Sequence, residues 1–214
     1  MLFIFDWDGT LIDSKAKITN SMHLATADMG WVTLTDSAVH NIIGLGLPEA
    51  LSQLFPTTTD VERGKLRECY AEHFIRLDQE KASEFFPHVK KTLDTLRNDG
   101  HSLALATGKS RKGLDRILAD LDMSDYFDAT RCADETASKP HPLMLEELLA
   151  YFDTSADKSV MIGDTEYDME MAMSIKMPRI AVSYGAHHID RLNQYQPELC
   201  LDQFDQLLNW QKLK

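Results

Sequence analysis

The chain has 214 residues, enough for one domain with a substantial core or for a core domain with a modest insertion. Hydrophobic residues make up 43% of it and charged residues 26%, a balance typical of globular rather than disordered proteins. The formal net charge of -12 argues against a nucleic acid or an anionic membrane as the main partner, since both attract an excess of Lys and Arg.

The cysteines and the amino terminus indicate a compartment. Cys69, Cys132 and Cys200 are widely separated, which favours neither a disulfide framework nor a thiolate zinc site and suggests a reducing environment. No basic segment precedes the first apolar run, and no run reaches membrane-spanning length. We therefore expect a cytoplasmic protein, a monomer or weak dimer, with no membrane or nucleic-acid partner.

The first apolar run ends in two carboxylates. Residues 2–5 lack polar alternation, which predicts a strand buried on both faces, as in parallel sheets covered by helices. Strand alternation sends the side chains of Asp6 and Asp8 to one side and Trp7 to the other, where Trp7 is expected to pack in the core. Two neighbouring carboxylates repel each other unless a cation or a proton compensates them. On these residues alone, a solvated acidic turn is an equally good interpretation.

A block of helices follows. Apolar residues recur at helical spacing up to Gly30, further helices are predicted from Thr35 or Asp36 and from Pro48 to Leu54, and Thr59 or Asp60 caps a longer one. The block is too long for a simple crossover between strands. We therefore predict a small helical unit over residues 14–83, inserted into a domain formed by residues 1–13 and 84–214.

From Pro87 the pattern alternates between helices and short apolar strands. The predicted strands lie at residues 103–106, 127–130, 160–162, 180–182 and 199–201. This alternation predicts an α/β fold with a doubly wound, mainly parallel, Rossmann-like sheet and a small all-helical insertion after the first strand.

Polar residues follow several of these strands, and the carboxyl ends of parallel strands share one edge of a sheet. They are Thr107 with Gly108, Lys139 just before a helix start, and Asp164 with Asp168. Converging carboxylates favour a hard divalent cation, with Mg2+ the natural candidate. A hydroxyl, backbone N–H groups and an ammonium group suit a phosphate dianion. The sequence therefore predicts a site for a metal and a phosphate.

Four motifs in this order resemble those of the haloacid dehalogenase superfamily, in its phosphatase branch and its phosphoglycolate phosphatase-like group. They are Asp6-Trp7-Asp8-Gly9-Thr10, Thr107-Gly108, Lys139-Pro140 and Gly163-Asp164-Thr165-Glu166-Tyr167-Asp168. The resemblance implies a helical cap after the first strand and a Mg2+-dependent phosphatase acting on a small phosphorylated metabolite.

The resemblance also implies roles for individual residues. Asp6 would attack phosphorus to form an aspartyl-phosphate, and Asp8 would protonate the leaving oxygen and later activate water. Asp6, the backbone carbonyl of Asp8, and Asp164 would hold Mg2+, while Thr107, Gly108 and Lys139 would bind the phosphoryl group. Asp168 is expected to contact a metal-bound water or Lys139, although an acid in the first turn of a helix also has a simple structural explanation.

Other activities use similar residues. A dehalogenase of the superfamily lacks the second acid of the first motif, so Asp8 argues against that activity. A sugar-phosphate mutase would keep every core residue and differ in the cap, so it stays open. A phosphoacceptor signalling module also combines acids, Thr and Lys around Mg2+, but has its acceptor in the middle of its chain and no helical insertion.

The stretch Val39-His40-Asn41-Ile42-Ile43-Gly44-Leu45-Gly46 lies where the phosphoglycolate phosphatases it resembles carry Val-Arg-x-Trp-x-Gly-Asn-Gly. His40, Asn41 and Leu45 are therefore candidate specificity residues. Loss of the Arg, the Trp and the Asn removes a fixed charge and two potential polar contacts, which argues against specificity for glycolate. His187 and His188 have no metal-ligand spacing and are predicted to lie at the surface. We predict that a cluster of methionines fills the core: Met161, Met169, Met171, Met173 and Met177.

Overall fold

The computed structural model describes residues 1–213. Its strands are β1 (Leu2–Phe5), β2 (Ile12–Asp13), β3 (Glu84–Phe85), β4 (Ser102–Thr107), β5 (Ala129–Cys132), β6 (Ser159–Gly163), β7 (Arg179–Val182) and β8 (Leu199–Leu201). Its α-helices are α1 (Lys15–Asp28), α2 (Asp36–His40), α3 (Leu47–Leu54), α4 (Asp60–Glu80), α5 (Val89–Asn98), α6 (Arg111–Asp120), α7 (Leu143–Tyr151), α8 (Glu166–Ser174) and α9 (Ile189–Asn193). Three short 3-10 helices span Ala156–Lys158, Phe204–Asn209 and Gln211–Leu213.

Six strands form one sheet in the order β5-β4-β1-β6-β7-β8, and every neighbouring pair is parallel. The strand β1 is central, and its register aligns Phe5 with Leu105 of β4 and Ile162 of β6. All four residues of β1 are buried, because helices cover both faces of the sheet. The predicted α/β class with a parallel sheet is confirmed. The strand predicted at 127–130 lies two residues later, at Ala129–Cys132.

Strand alternation divides the core between the two faces of the sheet. Phe3, Phe5 and Trp7 pack in the larger cluster, whereas Leu2 and Ile4 belong to the cluster on the opposite face. The Trp7 side chain is completely buried, which confirms that it packs in the core.

Four of the five methionines predicted to fill the core are completely buried: Met161, Met169, Met171 and Met177. Met173 is 45% exposed, so the prediction is wrong for this residue. It belongs to helix α8, in which Asp168, Met169, Met171 and Ala172 occupy the buried positions and Met173 does not.

Between β2 and β3 the described chain forms only helices and their connections, as predicted. The Thr59 hydroxyl accepts a hydrogen bond from the backbone N–H of Glu62, and the Glu62 carboxylate accepts one from the Thr59 N–H, a reciprocal cap that starts α4. Helix α4 packs along α1. The strands β2 and β3 pair antiparallel, with Ile12 opposite Phe85 and Asp13 opposite Glu84, so the chain leaves and re-enters the α/β part side by side. Among residues 1–213, no helix combines the length and apolar character needed to cross a bilayer.

Candidate active site

The strand order brings three of the predicted motifs together. Strands β4 and β6 flank β1, and Asp6 continues β1 by donating its backbone N–H to the carbonyl of Ile162 at 2.9 Å. Thr107 ends β4, and Asp164 follows β6 directly. The carboxyl ends of three adjacent strands therefore form one edge, where open parallel sheets bind ligands.

Lys139 joins this edge from the segment before α7. Its Nζ lies 2.6 Å from Asp6 Oδ1 and 2.7 Å from Asp168 Oδ1, and all three side chains are buried. Burial alone would lower the pKa of Lys139, but the carboxylates of Asp168 and Asp6 outweigh it and raise that pKa above its usual value. Lys139 is therefore a buried ammonium group. Of the two partners predicted for Asp168, a metal-bound water and Lys139, the structure shows Lys139.

Asp6, Asp164 and Asp168 form a compact acidic cluster, in which one ligand oxygen from each lies within 4.8 Å of the others. Burial raises the pKa of Asp6 well above its usual value despite Lys139, and the carboxylates of Asp168 and Asp164 add to the rise. Burial and the charge of Asp168 raise the pKa of Asp164 to about 7. One oxygen of Asp6, Oδ2, has no hydrogen-bond partner although it is buried.

This cluster fits a hard divalent cation. One ammonium group cannot neutralise three buried carboxylates, and the unpartnered Asp6 oxygen offers a further acceptor. Oxygen-only donors are those that Mg2+ prefers.

Asp164 is held in place from two sides. The Thr10 hydroxyl donates to its Oδ1 at 2.9 Å, and the Ala186 N–H donates to its Oδ2 at 2.7 Å. Gly9 has φ of +82°, and a Cβ there would lie 2.2 Å from Asp164 Oδ2. Glycine is therefore required at position 9, both for the backbone conformation and for the close approach of the carboxylate.

The side chain of Asp8 lies outside this cluster. Its Oδ1 accepts a hydrogen bond from the Ser14 hydroxyl at 2.6 Å, and its Oδ2 lies 3.0 Å from Lys109 Nζ. Lys109 also lies over the ring of Phe74 from α4, with 4.6 Å between Nζ and the ring centroid. Lys109 was not among the predicted site residues. Its position directly after Thr107-Gly108, at the same sheet edge, was the available signal.

A loop from the helical block, residues 41–46, covers this edge. Thr107 is buried, with its hydroxyl accepting from the Lys109 N–H at 3.2 Å. A Cβ on the next residue, Gly108, would lie 2.5 Å from the carbonyl oxygen of Leu45. The Gly46 N–H donates to the Ser138 hydroxyl at 2.8 Å. The 41–46 loop thus contacts residues adjacent in sequence to Thr107 and Lys139.

The three candidate specificity residues occupy different surroundings. Asn41 Oδ1 accepts from Arg191 Nη1 and its carbonyl accepts from the Tyr167 hydroxyl, both at 2.8 Å. Leu45 is half-buried, with its carbonyl against Gly108. Partial burial and the charge of Lys15 lower the pKa of His40, which favours a neutral imidazole.

The surface prediction for the two histidines is wrong for His187 and correct for His188. His188 is exposed, whereas His187 is buried, and its Nδ1 accepts a hydrogen bond from the Glu166 N–H at 3.1 Å. Burial and the charge of Arg191 lower the pKa of His187. The neutral ring satisfies the first N–H of α8, which has no partner within its own helix.

The chain is similar to known proteins over most of its length. Residues 3–182 match the family described as haloacid dehalogenase-like hydrolase. The chain is 31% identical to a phosphoglycolate phosphatase of Aliivibrio fischeri over 97% of this chain and 94% of that one.

Solved structures share the fold. A hydrolase from Pseudomonas syringae superposes with a TM-score of 0.88 at 24% identity, covering 97% of this chain and 95% of that one. A beta-phosphoglucomutase from Clostridium difficile gives 0.83 at 18% identity, covering 96% and 92%. The family match spans most of the chain and includes all four motifs, so the protein belongs to the haloacid dehalogenase-like hydrolases.

Proposed function

We propose that the protein is a Mg2+-dependent phosphatase that hydrolyses a small phosphorylated metabolite through an aspartyl-phosphate on Asp6. The observation that carries this proposal is the buried Asp6 carboxylate, which contacts the Lys139 ammonium through Oδ1 and has no partner at Oδ2. The similarity to proteins named phosphoglycolate phosphatase supports the same reaction class.

In the first step Asp6 attacks phosphorus, so that an oxygen–phosphorus bond forms on its carboxylate while the bond to the leaving oxygen breaks. Asp8 donates a proton to that oxygen, which departs as an alcohol. In the second step Asp8 takes a proton from water, whose oxygen attacks phosphorus and releases inorganic phosphate and the free Asp6 carboxylate.

The site residues are also proposed to bind the metal ion and the phosphoryl group. Asp6, the Asp8 backbone carbonyl and Asp164 would hold Mg2+, which when bound neutralises charge on the phosphoryl oxygens.

The Lys139 ammonium group, the Thr107 hydroxyl and the N–H of Gly108 are proposed to bind the phosphoryl oxygens. The contact between Lys139 and Asp168 keeps the ammonium group oriented before the substrate arrives.

Residues 14–83 are proposed to form a cap over a core of residues 1–13 and 84–214. The pairing of β2 with β3 supports a division there, since both connections between the two parts run side by side. Closure of such a cap excludes water from the phosphoryl group. His40 at the end of α2, together with Asn41 and Leu45 of the 41–46 loop, is proposed to discriminate between substrates, because this loop covers the sheet edge that carries Thr107 and Asp164.

The test is release of inorganic phosphate from 4-nitrophenyl phosphate and from a panel of phosphorylated metabolites, with Mg2+ and after chelation. We expect turnover only with the metal. Ca2+ should bind but support little turnover, because its looser coordination would misplace the nucleophile. Conversion of a sugar phosphate to its isomer without phosphate release would instead indicate a mutase.

Variants of the two acids test the covalent mechanism. Asp8→Asn should accumulate phosphoenzyme on 4-nitrophenyl phosphate, because a phenolate leaves unaided while attack of water slows roughly a hundredfold or more. Intact-protein mass spectrometry after an acid quench would detect the adduct. Asp6→Asn should show none, and Asp125→Asn, at an exposed position, serves as the control. Continued turnover by Asp6→Asn would show that water attacks phosphorus directly.

A further inference from the structure

Arg191 of α9 connects three segments that are far apart in the sequence. Its Nε donates to Glu166 Oε2 at 3.2 Å, and its Nη2 contacts the other oxygen of the same carboxylate. Its Nη1 is directed to a different partner, the side-chain oxygen of Asn41, at 2.8 Å. The planar guanidinium has enough donors to bind one carboxylate with two nitrogens and a second acceptor with a third.

The Glu166 side of this connection is held by several contacts and lies next to the candidate active site. Glu166 and Tyr167 directly follow Asp164 and Thr165 in the chain. His187 accepts from the Glu166 N–H, and its ring packs edge-on against Tyr167 with 5.4 Å between centroids. The start of α8 is therefore held by His187 in addition to its contact with the helical block through the Tyr167 hydroxyl.

Asn41 is the first residue of the 41–46 loop, which covers the sheet edge that carries Thr107 and Asp164. Asn41 is held twice, at its side chain by Arg191 and at its carbonyl by the Tyr167 hydroxyl, each at 2.8 Å. Beyond it, Gly44 lies against the Thr165 side chain, and Gly46 donates its N–H to Ser138. Fixing Asn41 thus fixes the start of a short loop whose far end lies beside Lys139.

We propose that Arg191, together with Tyr167, is a positioning residue that docks the 41–46 loop over the phosphate site through Asn41. This inference rests on the proposed phosphatase function, and it assigns Asn41 to loop placement rather than to direct contact with substrate. An isolated surface ion pair between Arg191 and Glu166 would contribute little. Here the pair instead orients a donor toward a segment 150 residues away in the sequence.

Hydrogen–deuterium exchange of the ligand-free protein tests the docking without reference to activity. Arg191→Ala should accelerate exchange of the peptide covering residues 41–46 by about tenfold, the factor that corresponds to losing about 1.4 kcal/mol. Asn41→Ala should have a similar effect. Exchange in the double variant should be little faster than in either single variant, since both substitutions remove the same contact. Arg76→Ala, which removes an exposed ion pair with Glu80, should leave this peptide unchanged.

Steady-state kinetics test the consequence for the reaction. Arg191→Ala should raise KM for 4-nitrophenyl phosphate about tenfold and change kcat much less, because loop placement affects substrate capture more than the bonds to phosphorus. Arg191→Lys should recover part of the loss, since an ammonium group can reach only one of the two acceptors at a time.

Unchanged exchange in Arg191→Ala would overturn the inference, and so would faster exchange with an unchanged KM. An inactive wild-type protein would refute the proposed phosphatase instead, while the exchange experiment would still decide whether Arg191 docks the loop.

Discussion

Replacing Gly108 by Ala tests whether activity requires the 41–46 loop to lie against the sheet edge that carries Thr107 and Asp164. A Cβ at position 108 would lie 2.5 Å from the Leu45 carbonyl oxygen and 2.7 Å from that of Gly44. Both distances are roughly 1 Å shorter than ordinary contact at about 3.5 Å. Backbone atoms cannot rotate away as a side chain can, so the loop must move.

The size of the effect follows from this overlap. Overpacking by one methyl group costs about 1–3 kcal/mol, which would disfavour the docked loop by about 5- to 150-fold. Gly108 does not have a positive φ, so Ala introduces no backbone strain in the core itself. The α/β part should therefore fold normally, and the free-energy cost should fall on docking of the 41–46 loop.

We expect kcat/KM of Gly108→Ala to fall by about 5- to 150-fold, with faster exchange of residues 41–46 in the ligand-free protein. The exchange measurement separates a displaced loop from simple crowding of the bound phosphate, which would leave the ligand-free protein unaffected. The matched control is Gly64→Ala in α4, where a Cβ would have no neighbour within 4 Å. That variant should gain about 0.5–1 kcal/mol of stability and keep its activity. Wild-type kcat/KM in Gly108→Ala would refute the reasoning.

Three further predictions concern the charged centre. Lys139→Met should destabilise the protein by about 3–5 kcal/mol in chemical denaturation and abolish turnover, because it leaves the buried carboxylates of Asp6 and Asp168 without their cation; a stable, active variant would contradict this. Burial raises the pKa of Asp164 above its value in the unfolded chain, so the stability of the metal-free protein should fall as pH rises from about 4 to about 7. Mg2+ binds the ionised carboxylate and should therefore raise Tm more at pH 8 than at pH 5. An equal gain in Tm at both pH values would argue against Asp164 as a ligand. Gly9→Ala should weaken Mg2+ binding in calorimetry, because its Cβ would displace the Asp164 carboxylate, and unchanged affinity would show that this close approach is not needed.

Much of the fold could be predicted from the sequence because its signals are local. The unbroken apolar run of residues 2–5 predicted a buried strand, and β1 is the central strand of the sheet. Thr59 or Asp60 could be predicted to start α4 because both are favoured capping residues, and the structure places the cap at Thr59. The four motifs could be assigned to one edge because parallel strands end on the same side.

The tertiary structure decided which of these groups touch. The positions of Asp6, Lys139 and Asp168 in the sequence do not tell how far apart their side chains lie. In the structure all three side chains are buried, and the Lys139 ammonium group contacts both carboxylates. The position of Lys109 after Thr107-Gly108 places it near the sheet edge, but its contact with Asp8 depends on how β4 lies beside β1.

The sequence by itself therefore determined the six strands of the parallel sheet, although not the short strands β2 and β3, together with the helical insertion and the edge at which the motifs gather. Each of these depends on periodicity or on neighbouring residues. Only the tertiary structure decided that His187 is buried, that Met173 is exposed and that Arg191 reaches Asn41. Each of these depends on the rotation or placement of a helix relative to a distant segment. His187 lies against the start of α8, where its Nδ1 accepts from the Glu166 N–H, and no residue pattern near His187 reveals that contact.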